Sequence, residues 1–546
     1  MLNFAQKIVL QNLAPLLVLP AALFAAGPVI DVDVSGPTKP LANFWNASGF
    51  SPADIVATKE MKAVLQDDRR LGAGGMGYMR PHYLLNLVEV RGMDTDRPAY
   101  NWTRLDEAID AVTRGGMKLI FEIMGFPSDG SSQGASQYDK NFQEQLVHQK
   151  SYFDDLTQRE QIVRWRTLVK AVALHLEARY GRQTVRTWLF ESTNEPDTHS
   201  FWTYDAPTLL NYYDASSEGL NDADPSLRFG GPGTARDLSG MFTALIAHCE
   251  SGRNFFTGKT GVRLDFISIH AKAQPAAMIA REVKIVNYLR AHAPGLANQP
   301  FVNDEADPVA GWARPYWWEQ GSWYAAFVAQ NIDLHQRLLR EAAGVNLLLL
   351  SNDHSFLGDW NQRTTHALFR DQPNSDGFVI IRKPVLSVME LISRLGDRRL
   401  ETTVPPELAD HFGVIPTVTA NSIAVLLYNK TPIEITPKPK PAPDVETALM
   451  ADGTVNAQLR VRGHAGTSAW LTEYVLDESH GNPYRAWVEM GRPTALTAGQ
   501  VAGLRALEHP ARVESRAVSF PDHTLTLQVT APSPSVTLIL VGPKAD

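Results

Sequence analysis

The chain of 546 residues is long enough for one large domain and a smaller one, each with its own core. Its hydrophobic content of 44% and charged content of 20% are those of a folded globular protein, which excludes an intrinsically disordered chain. The net charge of -8 leaves no basic surplus for binding nucleic acid, and the single cysteine, Cys249, excludes a disulfide framework or a cysteine-rich metal site.

The N-terminal segment is strongly apolar. Residues 13–26 contain no charged side chain, follow Lys7 and precede Gly27-Pro28. This pattern is typical of a secretory signal peptide and is too short to span a membrane. We therefore expect residues 1–26 to be a signal peptide and the protein to be periplasmic or secreted. A leader of another kind, or a misplaced start codon, would instead leave the protein in the cytoplasm.

Short apolar runs alternate with helical patterns from about residue 43 to residue 395. One helix is predicted to begin at Thr103, and another to begin at Thr157, with Glu160 completing a capping box, and to end at Gly181. The predicted strands are residues 76–80, 117–124, 185–190, 228–229, 264–269, 300–302 and 345–350. Strand–helix alternation over this length predicts an α/β fold, a (β/α)8 TIM barrel spanning residues 43–395.

The pattern changes after residue 396. The β-rich segments 423–427, 471–476, 524–529 and 536–541 are separated by turns containing proline or glycine, without helical periodicity. They predict a C-terminal antiparallel β-sandwich. Residues 29–34 have the pattern of a further strand, so we expect residues 27–42 and 396–546 to form this domain together. The run 437–441 alternates proline with lysine and is predicted to be an extended linker.

Two glutamates each follow a predicted barrel strand. Glu195 lies just after residues 185–190, and Glu305 lies just after residues 300–302. In a TIM barrel the carboxyl ends of the strands carry the catalytic groups, and a pair of carboxylates is the minimum needed to cleave a glycosidic bond. Asn194-Glu195-Pro196 is also the pattern of a helix start, with asparagine as the cap and proline in the first turn.

Further polar residues follow the predicted strands, at the same end of the barrel. His82, His270, Lys272 and Asp353 occupy such positions, as does His354, for which a structural role is the simpler interpretation. The histidines do not have the spacing of a metal site, so we expect neither a metal nor a cofactor.

Two functions other than that of a glycosidase also match parts of the sequence. The run 304–307 matches the acidic box of a helicase, and Gly258-Lys259-Thr260 resembles the end of a phosphate-binding loop. The glycine that such a loop requires five positions before Gly258 is Arg253, and a strand rather than a helix follows. A carbohydrate-binding protein that has lost activity is the other alternative, and the two retained carboxylates argue against it.

Several motifs together resemble glycoside hydrolase family 39. They span residues 44–385, and weaker similarity continues nearly to the C-terminus. The matching stretches are Phe44-Trp45, Ser48-Gly49-Phe50, Asn194-Glu195-Pro196-Asp197, and residues 211–215, 254–258, 303–308, 351–353 and 382–385. The resemblance also implies that a further C-terminal β domain, found in animal members of the family, is absent from this chain.

The resemblance implies a retaining glycosidase with Glu195 as acid/base and Glu305 as nucleophile. It implies that the sugar site is lined by His82, Asn194, His270, Lys272, Gly311, Asp353 and Arg363. The expected substrate is a glycan with a terminal α-L-iduronide or related uronide, because Lys272 and Arg363 supply cations for a sugar carboxylate. The alternative within the family is a β-xylosidase, whose substrate carries no such charge.

Overall fold

The computed structural model describes most of the chain. The described residues are 27–74, 76–129, 152–310, 317–352, 355–358, 360, 364–370, 377–433 and 453–544. The predicted signal peptide and the predicted linker at 437–441 lie outside them. No helix within these ranges is both long enough and apolar enough to cross a membrane.

Twenty-three strands are described, and eight of them form a closed barrel in which every neighbouring pair is parallel. The barrel strands are β3 (Ala47–Pro52), β4 (Tyr78–His82), β7 (Lys118–Glu122), β8 (Leu189–Glu191), β9 (Arg228–Thr234), β10 (Ile267–Ile269), β11 (Phe301–Asn303) and β12 (Leu347–Asn352). The predicted TIM barrel is therefore confirmed. Seven of these strands overlap predicted ones, most of them displaced by one to four residues, whereas β3 was not predicted.

A helix follows each barrel strand and packs outside the barrel. The α-helices are α1 (Ala53–Val56), α2 (Lys59–Asp68), α3 (Thr103–Arg114), α4 (Arg159–Tyr180), α5 (Arg182–Val185), α6 (Ala206–Ala223), α7 (Gly240–Ser251), α8 (Pro275–His292), α9 (Ser322–Leu334), α10 (Pro384–Ile392), α11 (Pro483–Glu489) and α12 (Ala498–Arg505). A π-helical segment, His335–Ala342, continues α9, and 3-10 turns occur at Arg69–Gly74, Leu84–Leu87, Trp317–Glu319 and Pro521–His523.

The predicted start of α4 is wrong. The helix begins at Arg159 with Gln158 as its N-cap residue, and no side chain caps it. The Thr157 hydroxyl instead donates to Asp155 Oδ1 at 2.6 Å and accepts from the Gln158 side-chain amide at 3.2 Å. At the other end, Gly181 caps α4 with a φ of 84°, as predicted. The prediction for α3 is confirmed, including the burial of Leu105, Ile109 and Val112.

The C-terminal sandwich combines two sheets. The larger has the order β2 (Thr38–Pro40), β16 (Arg398–Leu400), β17 (Phe412–Val418), β18 (Ile423–Asn429), β23 (Ser535–Gly542), β20 (Ser468–Asp477) and β21 (Ala511–Ser519), and all its pairs are antiparallel. The smaller contains β1 (Val29–Asp33), β19 (Val455–Arg462) and β22 (Thr524–Ala531). Strand β1 joins this sheet as predicted and runs parallel to β19.

Helical structure in the C-terminal region was not predicted. Helices α11 and α12 lie between β20 and β21. A capping box at Thr497 and Gln500 stabilises the start of α12. Two smaller sheets are also described. One pairs β5 (Glu89–Arg91) with β6 (Ala99–Asn101), and the other contains β13 (Ser355–Gly358), β14 (Thr364–Arg370) and β15 (Phe378–Arg382).

Helix α9 connects the sandwich to the strand that carries Glu305. Its Asp333 accepts a hydrogen bond of 2.8 Å from the Tyr428 hydroxyl on β18. Two residues earlier, Asn331 Nδ2 donates to the carbonyl of Ala306 at 3.2 Å. Helix α9 therefore contacts both the backbone next to Glu305 and the sandwich.

Candidate active site

The barrel interior is built in layers. The lower layer is apolar and contains Ala47, Ile120, Leu189, Phe266, Val302 and Leu349. Side chains two residues apart on a strand share a face. Four of these apolar residues are therefore followed, two positions later, by a residue of the next layer. That layer is polar: it contains Glu122, Glu191, Ser268 and Asp304, all buried. The register places Glu122 directly beside Glu191, on neighbouring strands.

Arg80 on β4 lies at the centre of this polar layer, with no exposed side-chain surface. Its guanidinium forms ion pairs with four carboxylates: Glu122 at 2.6 Å, Glu191 at 2.7 Å, Asp304 at 3.3 Å and Glu305 at 3.0 Å. Its Nη2 also donates to Asn194 Oδ1 at 3.1 Å. One cation therefore connects the ends of several barrel strands.

The charges in this layer are strongly coupled. Burial alone would lower the pKa of Arg80, but the four surrounding carboxylates raise it well above its ordinary value. Burial raises the pKa of Glu191 to about 8 against the opposing effect of Arg80. The pKa of Asp304 is lowered despite its burial, because Arg80 and His270 lie against it.

Glu195 is held in an unusual backbone conformation. Its φ is 40°, in the left-handed region that residues with a side chain rarely adopt. Its N–H donates to the carbonyl of Gly233 at 3.0 Å, and its own carbonyl accepts from Thr198 N at 2.9 Å. Gly233 has a φ of 58°, and a Cβ there would lie 3.2 Å from Glu191 Oε1. A glycine at 233 thus lets the backbone lie close to the Glu191 side chain while its carbonyl accepts the hydrogen bond from Glu195.

Glu305 is surrounded by positively charged and hydrogen-bonding groups. Lys272 Nζ lies 2.5 Å from its Oε2, His270 Nδ1 lies 3.3 Å from the same oxygen, and Arg80 Nη1 lies 3.0 Å from Oε1. Burial alone would raise the pKa of Glu305, but His270, Lys272 and Arg80 together hold it well below its usual range. Glu305 is therefore a carboxylate at neutral pH, although only 4% of its side chain is exposed.

His270 bridges the two glutamates. Its Nδ1 lies 2.9 Å from Glu195 Oε1, and one oxygen of Glu195 and one of Glu305 lie within 4.8 Å of each other. These three residues also have the spacing of metal ligands. Lys272 and Arg80 already place two positive charges on Glu305, which disfavours a metal ion at the same carboxylate.

His82 and Asn194 complete the part of the site that the structure describes. His82 Nδ1 lies 2.5 Å from Glu122 Oε2, and its Nε2 lies 3.9 Å from Glu305 Oε1. Asn194 accepts from Arg80 through Oδ1, which fixes the orientation of its amide. Each side chain is thus held from below by the polar layer.

The structure brings together six of the predicted site residues and says nothing of three. Glu195, Glu305, His82, Asn194, His270 and Lys272 lie at the carboxyl end of the barrel, within one set of contacts. Gly311, Asp353 and Arg363 lie outside the described residues. Lys272 contacts Glu305, and only 14% of its side chain is exposed.

Sequence reasoning missed the polar layer beneath the two glutamates. Arg80, Glu122, Glu191 and Asp304 were not identified as site residues, although each lies in or just after a barrel strand. The signal was present in β4, where Arg80 and His82 are two residues apart and therefore share a face. It was also present in β7 and β8, because each apolar run ends in a glutamate.

A cavity of about 350 Å³ is lined in part by sequence neighbours of Asn194 and His82. Its wall includes Thr193, which precedes the Asn194-Glu195 pair, and Phe201 and Trp202, which follow it. Tyr83, next to His82, closes another side. Aromatic rings are common surfaces for sugars and for aromatic leaving groups, since they provide flat apolar area with few rotatable bonds.

Two alternative interpretations of the sequence are wrong. No helix begins at Asn194-Glu195-Pro196, where the chain instead turns. Gly258-Lys259-Thr260 lies in a turn between α7 and β10, and no helix follows it directly. Cys249 is buried, and burial raises the pKa of its thiol, which disfavours the reactive thiolate.

Comparison with known proteins identifies the family of this chain. A model of glycosyl hydrolases family 39 matches residues 29–523. The chain belongs to this family. It is 33% identical to α-L-iduronidase of Mus musculus over 97% of this chain and 83% of that protein. It is 23% identical to a β-xylosidase of Geobacillus stearothermophilus over 86% of this chain and 87% of that protein.

A solved structure supports the same placement in the family. The crystal structure of a bacterial orthologue of human α-L-iduronidase superposes with a TM-score of 0.80 and 32% sequence identity, covering 95% of this chain and 84% of that one. Family membership makes this protein a glycoside hydrolase, and the confirmed barrel and sandwich are the fold of these relatives.

Replacing Arg80 should strongly destabilise the protein. In Arg80→Met, four buried carboxylates lose their shared partner, and removing one member of a buried ion pair costs about 3–5 kcal/mol. The matched control is Arg166→Met, whose pair with Asp222 is partly exposed and worth about 0–1 kcal/mol. Denaturant midpoints of the two variants test this difference. Equal midpoints would show that the polar layer does not depend on Arg80.

Proposed function

We propose that this protein hydrolyses a terminal glycosidic bond with retention of configuration, with Glu305 as nucleophile and Glu195 as acid/base. The observation that carries the proposal is the short separation of the two carboxylates, whose nearest oxygens lie within 4.8 Å. Retaining enzymes keep their carboxyl groups about 5–5.5 Å apart, and a pair of oxygens this close leaves little room for the water that inverting enzymes admit across about 6.5–9.5 Å.

The environments of the two glutamates suit different roles. Glu305 is ionised and buried, and three cationic or hydrogen-bonding neighbours hold it in place, as attack on an anomeric carbon requires. Glu195 is more exposed, at 14% of its side chain, which suits a group that exchanges protons with a leaving group and with water. It therefore protonates the departing oxygen and later activates the water that cleaves the glycosyl–Glu305 ester.

The remaining residues bind the sugar. Asn194 has its Oδ1 occupied by Arg80, which leaves the amide NH₂ as the donor to a sugar hydroxyl. His82 has its Nδ1 side occupied by Glu122 and presents Nε2 toward Glu305. Gly311, Asp353 and Arg363 complete the proposed sugar site, as the resemblance to the family implies.

The proposed substrate is a terminal α-L-iduronide on a glycan. The relatives at 33% identity are α-L-iduronidases, whereas the β-xylosidases are 23–24% identical. Lys272 lies beside the nucleophile and provides a cation close to where the sugar ring must bind. A uronide carboxylate requires such cations, and a xyloside does not. β-Xyloside hydrolysis remains the second candidate because members of the same family are named for it.

Removing the nucleophile should abolish turnover. Glu305→Gln keeps the shape of the side chain but cannot form the glycosyl ester, so we expect no turnover of an aryl glycoside. Circular dichroism and the melting temperature report whether the variant is folded. The matched control is Glu489→Gln, which alters an exposed glutamate on α11 and should retain full activity. Wild-type turnover by a folded Glu305→Gln variant would rule out this nucleophile.

Removing the acid/base should spare good leaving groups. In Glu195→Ala, an aryl glycoside with a strongly acidic phenol needs no protonation to depart, so its glycosylation step should be largely retained. A phenol with a pKa near that of phenol itself should lose roughly 10²–10⁴-fold in kcat/KM. Azide should accelerate turnover of the good substrate, because an anionic nucleophile needs no base. Equal losses for both leaving groups would contradict the acid role.

Substrate preference should depend on the Lys272 cation. We expect wild type to hydrolyse aryl α-L-iduronide in preference to aryl β-D-xyloside. Lys272→Met should reduce kcat/KM for the iduronide more than for the xyloside, by about 1.5–3 kcal/mol for a lost charge-assisted hydrogen bond. The comparison of substrates is essential, because Lys272 also contacts Glu305 and its loss affects both reactions.

Lys272→Arg is the matched control, since it retains the positive charge and should retain part of the preference. An unchanged ratio of the two kcat/KM values in Lys272→Met would remove Lys272 from uronide recognition. A wild-type kcat/KM for the xyloside about tenfold above that for the iduronide, or 1.4 kcal/mol, would make the protein a β-xylosidase.

A further inference from the structure

His270 is enclosed by acidic groups on both edges of its ring. The side chain has no exposed surface. Nδ1 lies 2.9 Å from Glu195 Oε1 and 3.3 Å from Glu305 Oε2, while Nε2 lies 3.4 Å from Asp304 Oδ1. A neutral imidazole has one N–H and can donate at one edge only, whereas an imidazolium donates at both. The carboxylates at both edges therefore favour a charged ring, whereas Arg80 Nη2, a donor 3.4 Å from Nε2, favours a neutral one.

Positive groups also face His270 and oppose its charge. Arg80 Nη2 lies 3.4 Å from Nε2, and Lys272 contacts the same Glu305 oxygen as the ring does. The backbone of Gly233 closes the remaining side, where a Cβ would lie 3.5 Å from Nε2. Three carboxylates nevertheless outweigh these cations and raise the pKa of His270 well above its ordinary value, against the effect of burial.

We propose that the proton destined for the leaving group rests on His270 in the free enzyme and reaches the substrate through Glu195. This inference depends on the proposed roles of Glu195 and Glu305. Asp304 is then a positioning residue: it holds the far edge of the imidazolium, as a buried carboxylate orients a histidine in other catalytic pairs.

The proton transfer balances the charges of the first step. Glu305 attacks the anomeric carbon, and the bond from that carbon to the leaving oxygen breaks. Glu195, a carboxylate in the free enzyme, receives a proton from His270 Nδ1 and passes it to this oxygen, so Glu195 is a carboxylate again and His270 ends as a neutral imidazole. Glu305 loses its negative charge by forming an ester while His270 loses its positive charge, and the net charge of the group is unchanged.

The second step reverses these changes. Glu195 takes a proton from the attacking water and passes it to His270, while the ester bond breaks and Glu305 becomes a carboxylate again. The Glu305 carboxylate lies 3.3 Å from the ring, so the loss of its negative charge in the ester lowers the pKa of His270. The proton thus leaves His270 in the step that neutralises Glu305 and returns when Glu305 is released.

The protonation state of His270 can be measured directly by NMR of histidine-labelled enzyme, with the His270 signal assigned by its absence in His270→Gln. We expect an imidazolium in wild type at pH 7. In Glu305→Gln, which removes the charge as the ester does, the pKa of His270 should fall by at least one unit. Asp307→Asn is the matched control: it changes a neighbouring buried acid that contacts Tyr324, and should leave the His270 titration unchanged.

A kinetic measurement separates this role from simple support of the site. In Asp304→Asn the basic limb of the kcat/KM profile should move to lower pH by at least one unit for a poor leaving group. For a leaving group that needs no proton, the limb should stay where it is. A purely structural role would lower both activities without moving either limb, and would overturn the assignment of Asp304.

A neutral His270 in active wild-type enzyme at pH 7 would overturn the proton-holding role and leave the proposed function intact. Failure of the proposed function has a different signature, because the Glu305→Gln variant would then turn over substrate whatever the charge on His270. The wild-type titration requires no substitution at Asp304, so it decides the proposal even where Asp304→Asn does not fold.

Discussion

The buried guanidinium of Arg80 is the interaction on which the site depends. Four carboxylates converge at the carboxyl end of the barrel, and each would be costly to bury alone. A single planar cation with five donors can contact all of them, which a lysine cannot do with its one point of charge. Because the carboxylates lie on or just after β7, β8 and β11, this cation also sets the relative positions of those strand ends. The two functional glutamates are built on top of that layer.

The backbone of Glu195 shows how the site is held against local preference. A left-handed residue other than glycine costs about 1–2 kcal/mol, so the surroundings must compensate. The bonds of its N–H to Gly233 and of its carbonyl to Thr198 provide that compensation. The conformation turns the side chain toward His270 rather than along the chain. Gly233 accepts the hydrogen bond from Glu195, and its left-handed φ and lack of Cβ leave room for the Glu191 side chain.

The sequence predicted features with a local cause and missed those that arise only in the folded chain. Seven barrel strands have apolar runs that identify them, but β3 is Ala-Ser-Gly-Phe-Ser-Pro, which has no such run and is a strand because its neighbours pair with it. The family motifs identified Glu195 and Glu305. Arg80 carried no motif, and its importance follows from contacts with residues as far as 225 positions away. Similarly, Thr157 had the pattern of a cap, yet Asp155 is a nearer partner for its hydroxyl.

The charge balance of the site bears on the choice of sugar. Its five carboxyl groups among the described residues are Glu122, Glu191, Glu195, Asp304 and Glu305. Three basic groups, Arg80, Lys272 and His270, contact these carboxyl groups. A uronide would add a sixth acidic group to this region. Lys272 alone does not offset it, because it already contacts Glu305. We propose that an anionic sugar is bound by a further cation outside the polar layer, and the resemblance to the family implies Arg363 for that role. A neutral xyloside imposes no such requirement, so under this proposal the charge of Arg363 would separate the two substrates.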